Sequence, residues 1–281
     1  MRWGAILLAL CCASIAVESQ GSPRLTLPPT LGALLATRGP KLEQLRSDRF
    51  TLYSELPSLQ TKRVLDSLNE AHAHATQLLS ATISQSQPVA VIVTASRTRF
   101  SPLLSPSTKG YRGRLADGSS FIILVVNDSV RPYTRHEVMH DVSFKSWGAA
   151  YEGGSWMSEA LATFADGKCQ GVPNIVVARD LLMQKPLLTI DELAKRFWDM
   201  TDIDRHGTYV LGASVIEFLW QTGGRESVRR LWQKGEWPRA ASLSGSPFAS
   251  NLSGRWRSYV ASTAGDRPGL DAGRLRRNGC G

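Results

Sequence analysis

The residues best equipped for chemistry lie in one stretch, TRHEVMHDVSFKSWGAAYEGGSWMSEALATF, residues 134–164. On a helix, His136 and His140 are one turn apart and face the same way, so both imidazoles can bind one ion. Glu137 lies beside that face, placed to take a proton from an activated water, which is the logic of a His-Glu-x-x-His metal site. A catalytic zinc usually holds three protein ligands and leaves one position open. Glu159 supplies the third, with eighteen residues between it and His140, enough for a turn and a second helix packed across the first. Glu152 is a weaker competitor, because only eleven residues separate it from His140 and they are rich in small residues. The plain alternative is polar trim on two exposed helices.

The elements around this stretch are read from periodicity. FTLYSEL from Phe50 alternates like a strand, and Pro57 opens a helical stretch with Val64, Leu65, Leu68, Ala71, Ala75, Leu78 and Leu79 on one side. PVAVIVTAS from Pro88 and SFIILVV from Ser120 read as further strands. Between them a loop with Lys109, Gly110, Arg112, Gly113, Arg114 and Gly118 suggests a rim or lid. Asn127, Asp128 and Ser129 end the last strand and can cap a helix starting near Val130, which carries the two histidines. Everything downstream is mostly helical, with no repeat at solenoid periods. The expected fold class is therefore α+β, a small mixed sheet with the site helix, followed by an all-helical lobe.

The pattern resembles the gluzincin metallopeptidases, and within them the aminopeptidase N group. That group carries His-Glu-x-x-His, an eighteen-residue gap and a Trp-Leu-Asn-Glu-Gly-type stretch; here stand His136, Glu137, His140, then Trp156, Met157, Ser158 and Glu159. Family members commonly have an acidic residue seven positions after the ligand glutamate, and Asp166 fills that place. A second likeness is YVLGASVIEFLW, where the family has a tyrosine and then a glycine in an apolar helix; it puts Tyr209 in the position of the hydroxyl that stabilises the oxyanion, with nearby His206 as the substitute. The resemblance spans roughly residues 46–260 and is strong in 134–166 and 205–235. It implies a zincin-like fold, one Zn2+ held by His136, His140 and Glu159, and Glu137 as general base and then acid. GSSFIIL at Gly118 lacks the glutamate with which the aminopeptidases grip a free amino terminus, and their large flanking domains are missing, so aminopeptidase specificity does not carry over.

Composition bounds the remainder. With 281 residues, 42% hydrophobic content and eight tryptophans, the chain has ample material for a buried core. Arg2 followed by an apolar run from Gly4 to Ala16 reads as a signal peptide, residues 1–16, too short for a span of roughly 20 apolar residues. Export to a secreted or periplasmic location is expected, and Leu10 before Cys11 disfavours a lipoprotein anchor on Cys11 or Cys12. Residues 17–45 read as a Pro-, Gly- and Ser-rich linker, 46–264 as the metallopeptidase-like domain, and 265–281 as a basic tail. Cys169 and Cys280 then remain, free to pair in an oxidising compartment but not spaced as zinc ligands. Of the net charge of +9, residues 225–281 hold eleven Lys and Arg against four Asp and Glu, a local +7. No nucleic-acid motif accompanies this excess, so a solvated face or an anionic envelope surface is the expected partner, and nucleic acid is not.

The expected activity is hydrolysis of peptide or protein substrates, with the strand from Phe121 to Val126 as a candidate for pairing with an extended substrate. The rival is a binding or scaffold protein that keeps the fold and the metal without turnover. Other polar residues take ordinary roles: His72 and His74 as partly exposed helix positions, Trp156 as core, Asp141 as a cap or surface group.

Overall fold

A computed structural model of the protein describes residues 42–83, 88–100, 104, 109–115, 117–127, 133–152, 154–200, 203, 205–238 and 251–266, with residues 35, 268 and 269 besides. The expected signal segment, most of the expected linker and basic tail, and Cys280 lie outside the described residues.

Among the described residues the fold is α+β. Strands β1 (Glu43–Arg46), β2 (Phe50–Ser54), β3 (Val89–Thr94), β4 (Gly110–Arg114) and β5 (Ser120–Val125) form a mixed sheet in the order β1-β2-β3-β5-β4. β2, β3 and β5 run parallel, and β1 and β4 close the two edges antiparallel. In β3 and β5, Val91, Ile92, Val93 and the run Phe121–Val125 are completely buried, as strands covered on both faces must be. Their alternation divides two cores. Val91, Val93, Ile122 and Leu124 face the helices, while Ile92, Phe121, Ile123 and Val125 face a smaller cluster with Phe100, Leu104 and Leu115.

Two expectations change here. The last residues of the expected linker are strand β1, paired with β2 from Glu43 against Ser54 to Arg46 against Thr51. The expected glycine-rich rim is strand β4, with Gly110 opposite Leu124 and Arg114 opposite Ser120. Glycine and arginine content reads as a loop, but here the arginines face a neighbouring helix and the glycines admit close approach, so the segment pairs.

The crossover from β2 to β3 is helix α1 (Ser58–Leu79), whose buried stripe of Val64, Leu65, Leu68, Ala71, Ala75 and Leu79 lies on the sheet. Helix α2 (Thr134–Trp147) follows β5 and packs on α1, where Thr134 Oγ1 and Ser67 Oγ share a 2.8 Å hydrogen bond. Then come α3 (Ser155–Asp166), a two-stranded hairpin β6 (Lys168–Cys169) and β7 (Val172–Pro173), α4 (Asn174–Gln184), α5 (Ile190–Arg196), α6 (Arg205–Lys234) and α7 (Leu252–Ala264). Among the described residues the hairpin is the one departure from an all-helical second half. Helix α6 breaks at Gly224, where φ is +72°, a conformation open to glycine at little cost. α3 lies across α6 closely enough that a Cβ on Gly212 would stand 2.9 Å from the Ala160 Cβ. Cys169 is fully buried and disulfide-bonded; the chain's other cysteines lie outside the described residues. No described helix is long and apolar enough to cross a membrane.

Candidate metal centre

Helix α2 is unusual in what it buries. Val138, Met139 and Val142 join the core as periodicity predicts, but His136, Glu137, Asp141 and Ser143 are buried as well. A buried polar residue carries more information than an exposed one, because its desolvation needs compensation.

The compensation for the histidines comes from α3. His136 Nε2 lies 3.1 Å from Glu159 Oε2, and His140 Nε2 lies 3.7 Å from Glu159 Oε1. The imidazole rings stand edge to face with centroids 4.8 Å apart. One ligand atom from each of His136, His140 and Glu159 falls within 4.8 Å of the others, close enough to hold a metal ion. The opposite ring nitrogens differ: that of His140 has a hydrogen-bond partner, while that of His136 has a carboxylate nearby but none within hydrogen-bond distance. His140 Nδ1 hydrogen-bonds Ser158 Oγ at 2.8 Å, and His136 Nδ1 stands 3.6 Å from Asp166 Oδ2. An Nδ1 proton on His140 turned to Ser158 would leave its Nε2 lone pair facing the Glu159 carboxylate, the kind of orientation that outer partners impose on metal-binding histidines.

Two imidazoles and one carboxylate, with a cleft on the remaining side, fit the donor set of a catalytic zinc site. Glu152, the competing ligand, is exposed and stands outside the cluster.

The charges respond to this crowding. Burial pushes the Glu137 carboxyl up to about 7, against the pull of His136 and His140, with Glu159 and Asp166 adding repulsion. Burial alone would raise Glu159 too, but His140 and His136 together hold it well below the usual carboxylate range. His136 is driven the other way: burial disfavours its cation, yet Asp166 and Glu159 raise it well above an ordinary histidine. A metal ion at the locus would take the place of that proton.

Glu137 is set against the sheet. A Cβ on Gly110 would lie 2.5 Å from Glu137 Oε1 and 2.6 Å from its Cγ, so only glycine leaves room for the carboxylate. The cleft above has a volume of about 600 Å³; Gly110, Tyr111, Phe144, Tyr151, His206 and Tyr209 are among its walls. The Tyr209 ring stacks near His136 with centroids 6.5 Å apart and lies flat on Phe197 at 5.5 Å. His206 is also in the wall, one turn earlier on α6.

The structure thus brings together His136, Glu137, His140, Glu159, Asp166 and Tyr209. It corrects several other expectations. β5 lies between β3 and β4, so its backbone is already paired and cannot receive a substrate strand; β4 is the edge that borders the cleft. Asp141 is no surface group: it is buried, 2.8 Å from Lys145 Nζ and 3.6 Å from Arg112 Nη2. His72 is buried rather than partly exposed, packed edge-on against Phe50 and 3.5 Å from Arg49 Nη1, and burial with Arg49 nearby pushes it down to about 4. Trp156 is core, as expected.

Sequence reasoning missed Tyr133, whose ring lies 5.1 Å from His136 and lines the same cleft as Tyr209. Its position three residues before His136 was a usable signal, since such pairs share a helix face. It also missed the hydrogen-bonding role of Ser158, for which adjacency to Glu159 was the only hint. No protein-family model matches this chain, and no curated protein matches it.

Proposed function

We propose that the protein is a zinc-dependent metallopeptidase of the gluzincin type, resembling the catalytic domain of the aminopeptidase N group, that works outside the cytoplasm. The observation that carries this reading is the convergence of His136 Nε2, His140 Nε2 and the Glu159 carboxylate on one locus, with the Glu137 carboxylate buried beside them. Zinc bound there would supply Lewis acidity, activating water near neutral pH and polarising a carbonyl.

The chain's own residues do the rest. Glu137, buried beside the three candidate ligands, is placed to accept a proton and return it to a leaving amine. Ser158 orients the His140 imidazole, and Asp166 sets a negative charge 3.6 Å from that of His136. Tyr209, whose hydroxyl burial keeps protonated far above pH 7, can donate a hydrogen bond to the developing oxyanion. The edge of β4 offers backbone groups to an extended peptide, which favours peptide bonds over other hydrolysable bonds.

The test combines metal content with turnover of an unstructured protein. About one zinc per chain is expected, with hydrolysis stopped by chelator and restored by zinc. Glu137→Gln should keep the metal and abolish turnover, while Glu159→Ala should lose the metal. Zinc binding with no turnover of any peptide would leave a scaffold protein with a structural metal. Full activity in Glu137→Gln would refute the base.

A further inference from the structure

The cleft wall carries charges that the metal centre does not use. Lys109 before β4, Arg112 on β4 and Arg205 at the start of α6 all line it, whereas its only described carboxylates are Glu137 and Glu159. Those two are committed to the base and ligand roles. The whole chain has 33 Lys and Arg to 24 Asp and Glu, so a wall whose described residues include three cations and no spare acid is more one-sided than the chain at large.

The three cations are held differently. Arg112 is fixed: its Nη2 donates to Ser120 Oγ at 3.1 Å, its guanidinium sits 4.7 Å from the Phe144 ring centre, and Asp141 lies 3.6 Å away. Asp141 also holds Lys145 at 2.8 Å, so one buried carboxylate faces two cations and the local balance stays positive. Lys109 places its ammonium 5.7 Å from the Tyr133 ring centre. Arg205 is exposed, makes no ion pair with a described carboxylate, and lies one helical turn before Tyr209 on the same face of α6. A guanidinium in that position can meet a carboxylate with two parallel hydrogen bonds. Low-dielectric walls lined by one sign of charge focus the field on whatever enters.

We infer that the cleft selects peptides carrying an acidic side chain, Asp or Glu, beside the scissile bond, with Arg205 pairing with that carboxylate and Lys109 and Arg112 supplying the surrounding positive field. This rests on the peptidase reading of the same cleft. A glutamine in the same place lacks the charge, and a lysine meets repulsion.

The test uses the zinc-loaded full chain and quenched fluorescent peptides identical except for Glu, Gln or Lys on either side of one cleavable bond. The expected result is a kcat/KM for the Glu peptide on the order of tenfold above Gln, with Lys lowest, and a preference that weakens with added salt. Arg205→Glu should erase or reverse the order and Arg205→Lys should keep part of it, both with metal content unchanged. Hydrolysis with no preference for Glu, or a preference that survives Arg205→Glu, overturns the inference and leaves the peptidase reading standing. If no peptide is cut, fluorescence anisotropy of the same peptides on zinc-loaded protein decides. Tighter binding of the Glu peptide, lost in Arg205→Glu, supports the inference while the peptidase reading falls; equal binding of all three overturns both.

Discussion

Replacing Gly110 by alanine isolates the placement of the expected base from the binding of the metal. Gly110 lies in β4 at a backbone conformation any residue can adopt, so the substitution introduces no φ/ψ strain. What it introduces is a methyl group 2.5 Å from Glu137 Oε1, 2.6 Å from Cγ and 2.9 Å from Cδ. Ordinary contact begins near 3.4 Å, so the Glu137 side chain must move by about 0.9 Å. The strand cannot easily retreat instead, because Gly110 is registered against Leu124 and Val125 N donates to Lys109 O at 2.9 Å. Glu137 is only 4% exposed, so its carboxylate has few other places to go. A misplacement of this size in a reacting group costs about 10²-fold in rate. The expected outcome is therefore a kcat roughly 10²-fold lower on an unstructured protein substrate, with about one zinc per chain still bound, because no ligand is touched. Gly113→Ala is the control for strand damage: its Cβ would press on the Phe121 and Tyr111 rings and not on Glu137, so it should lower stability and cost much less kcat than Gly110→Ala. Wild-type kcat in Gly110→Ala, or loss of zinc in place of rate, would refute this placement of Glu137.

Three further outcomes follow from the same geometry. Ser158→Ala removes the 2.8 Å partner of His140 Nδ1 and should weaken zinc binding by about 10–100-fold in competition with a chromophoric chelator. Asp141→Ala leaves Arg112 and Lys145 without their shared carboxylate and should cost about 3 kcal/mol of stability in urea denaturation, as breaking a buried pair does; a change within 0.5 kcal/mol, roughly that of an ordinary surface site, would show the cluster to be solvated. For the metal-free protein, Glu137→Gln should be stabilising, because burial raises the folded carboxyl to about 7 from 4.5. Between those values the unfolded chain loses its proton first, so wild-type stability falls as pH rises through the window. The variant's advantage should be absent below pH 4.5, grow up to 7 and then level off near ~3 kcal/mol; an advantage independent of pH would contradict the buried, proton-retaining carboxyl.

The spacing of His136, His140 and Glu159 was enough to anticipate the cluster, since helical geometry sets which residues share a face and the intervening length allows one turn and a return. The strands at Phe50, Val89 and Ser120 and the buried stripe of α1 were legible for the same reason: their periodicity is local. The role of residues 109–114 was not. Whether a glycine- and arginine-rich segment loops out or pairs depends on a partner edge, and that edge, β5, becomes available only once β3 has taken its other side. Asp141 looked like a surface residue because its position on α2 is off the histidine face. Its burial is compensated by Lys145 one turn further along α2 and by Arg112 approaching from β4, and only the second of these depends on long-range packing.

The sequence by itself determined the donor set, the helix that presents two of its members, and the distance along the chain to the third, because these follow from residue type and a 3.6-residue period. The tertiary structure decided what surrounds them. It set Glu137 against Gly110, Ser158 and Asp166 beside the imidazoles, Tyr133 and Tyr209 near His136, and Arg205 in the wall of the cleft. Each of these neighbours except Ser158, Asp166 and Tyr133 comes from an element that is remote in sequence from α2 and α3. Their meeting is a consequence of long-range packing, which no local periodicity encodes.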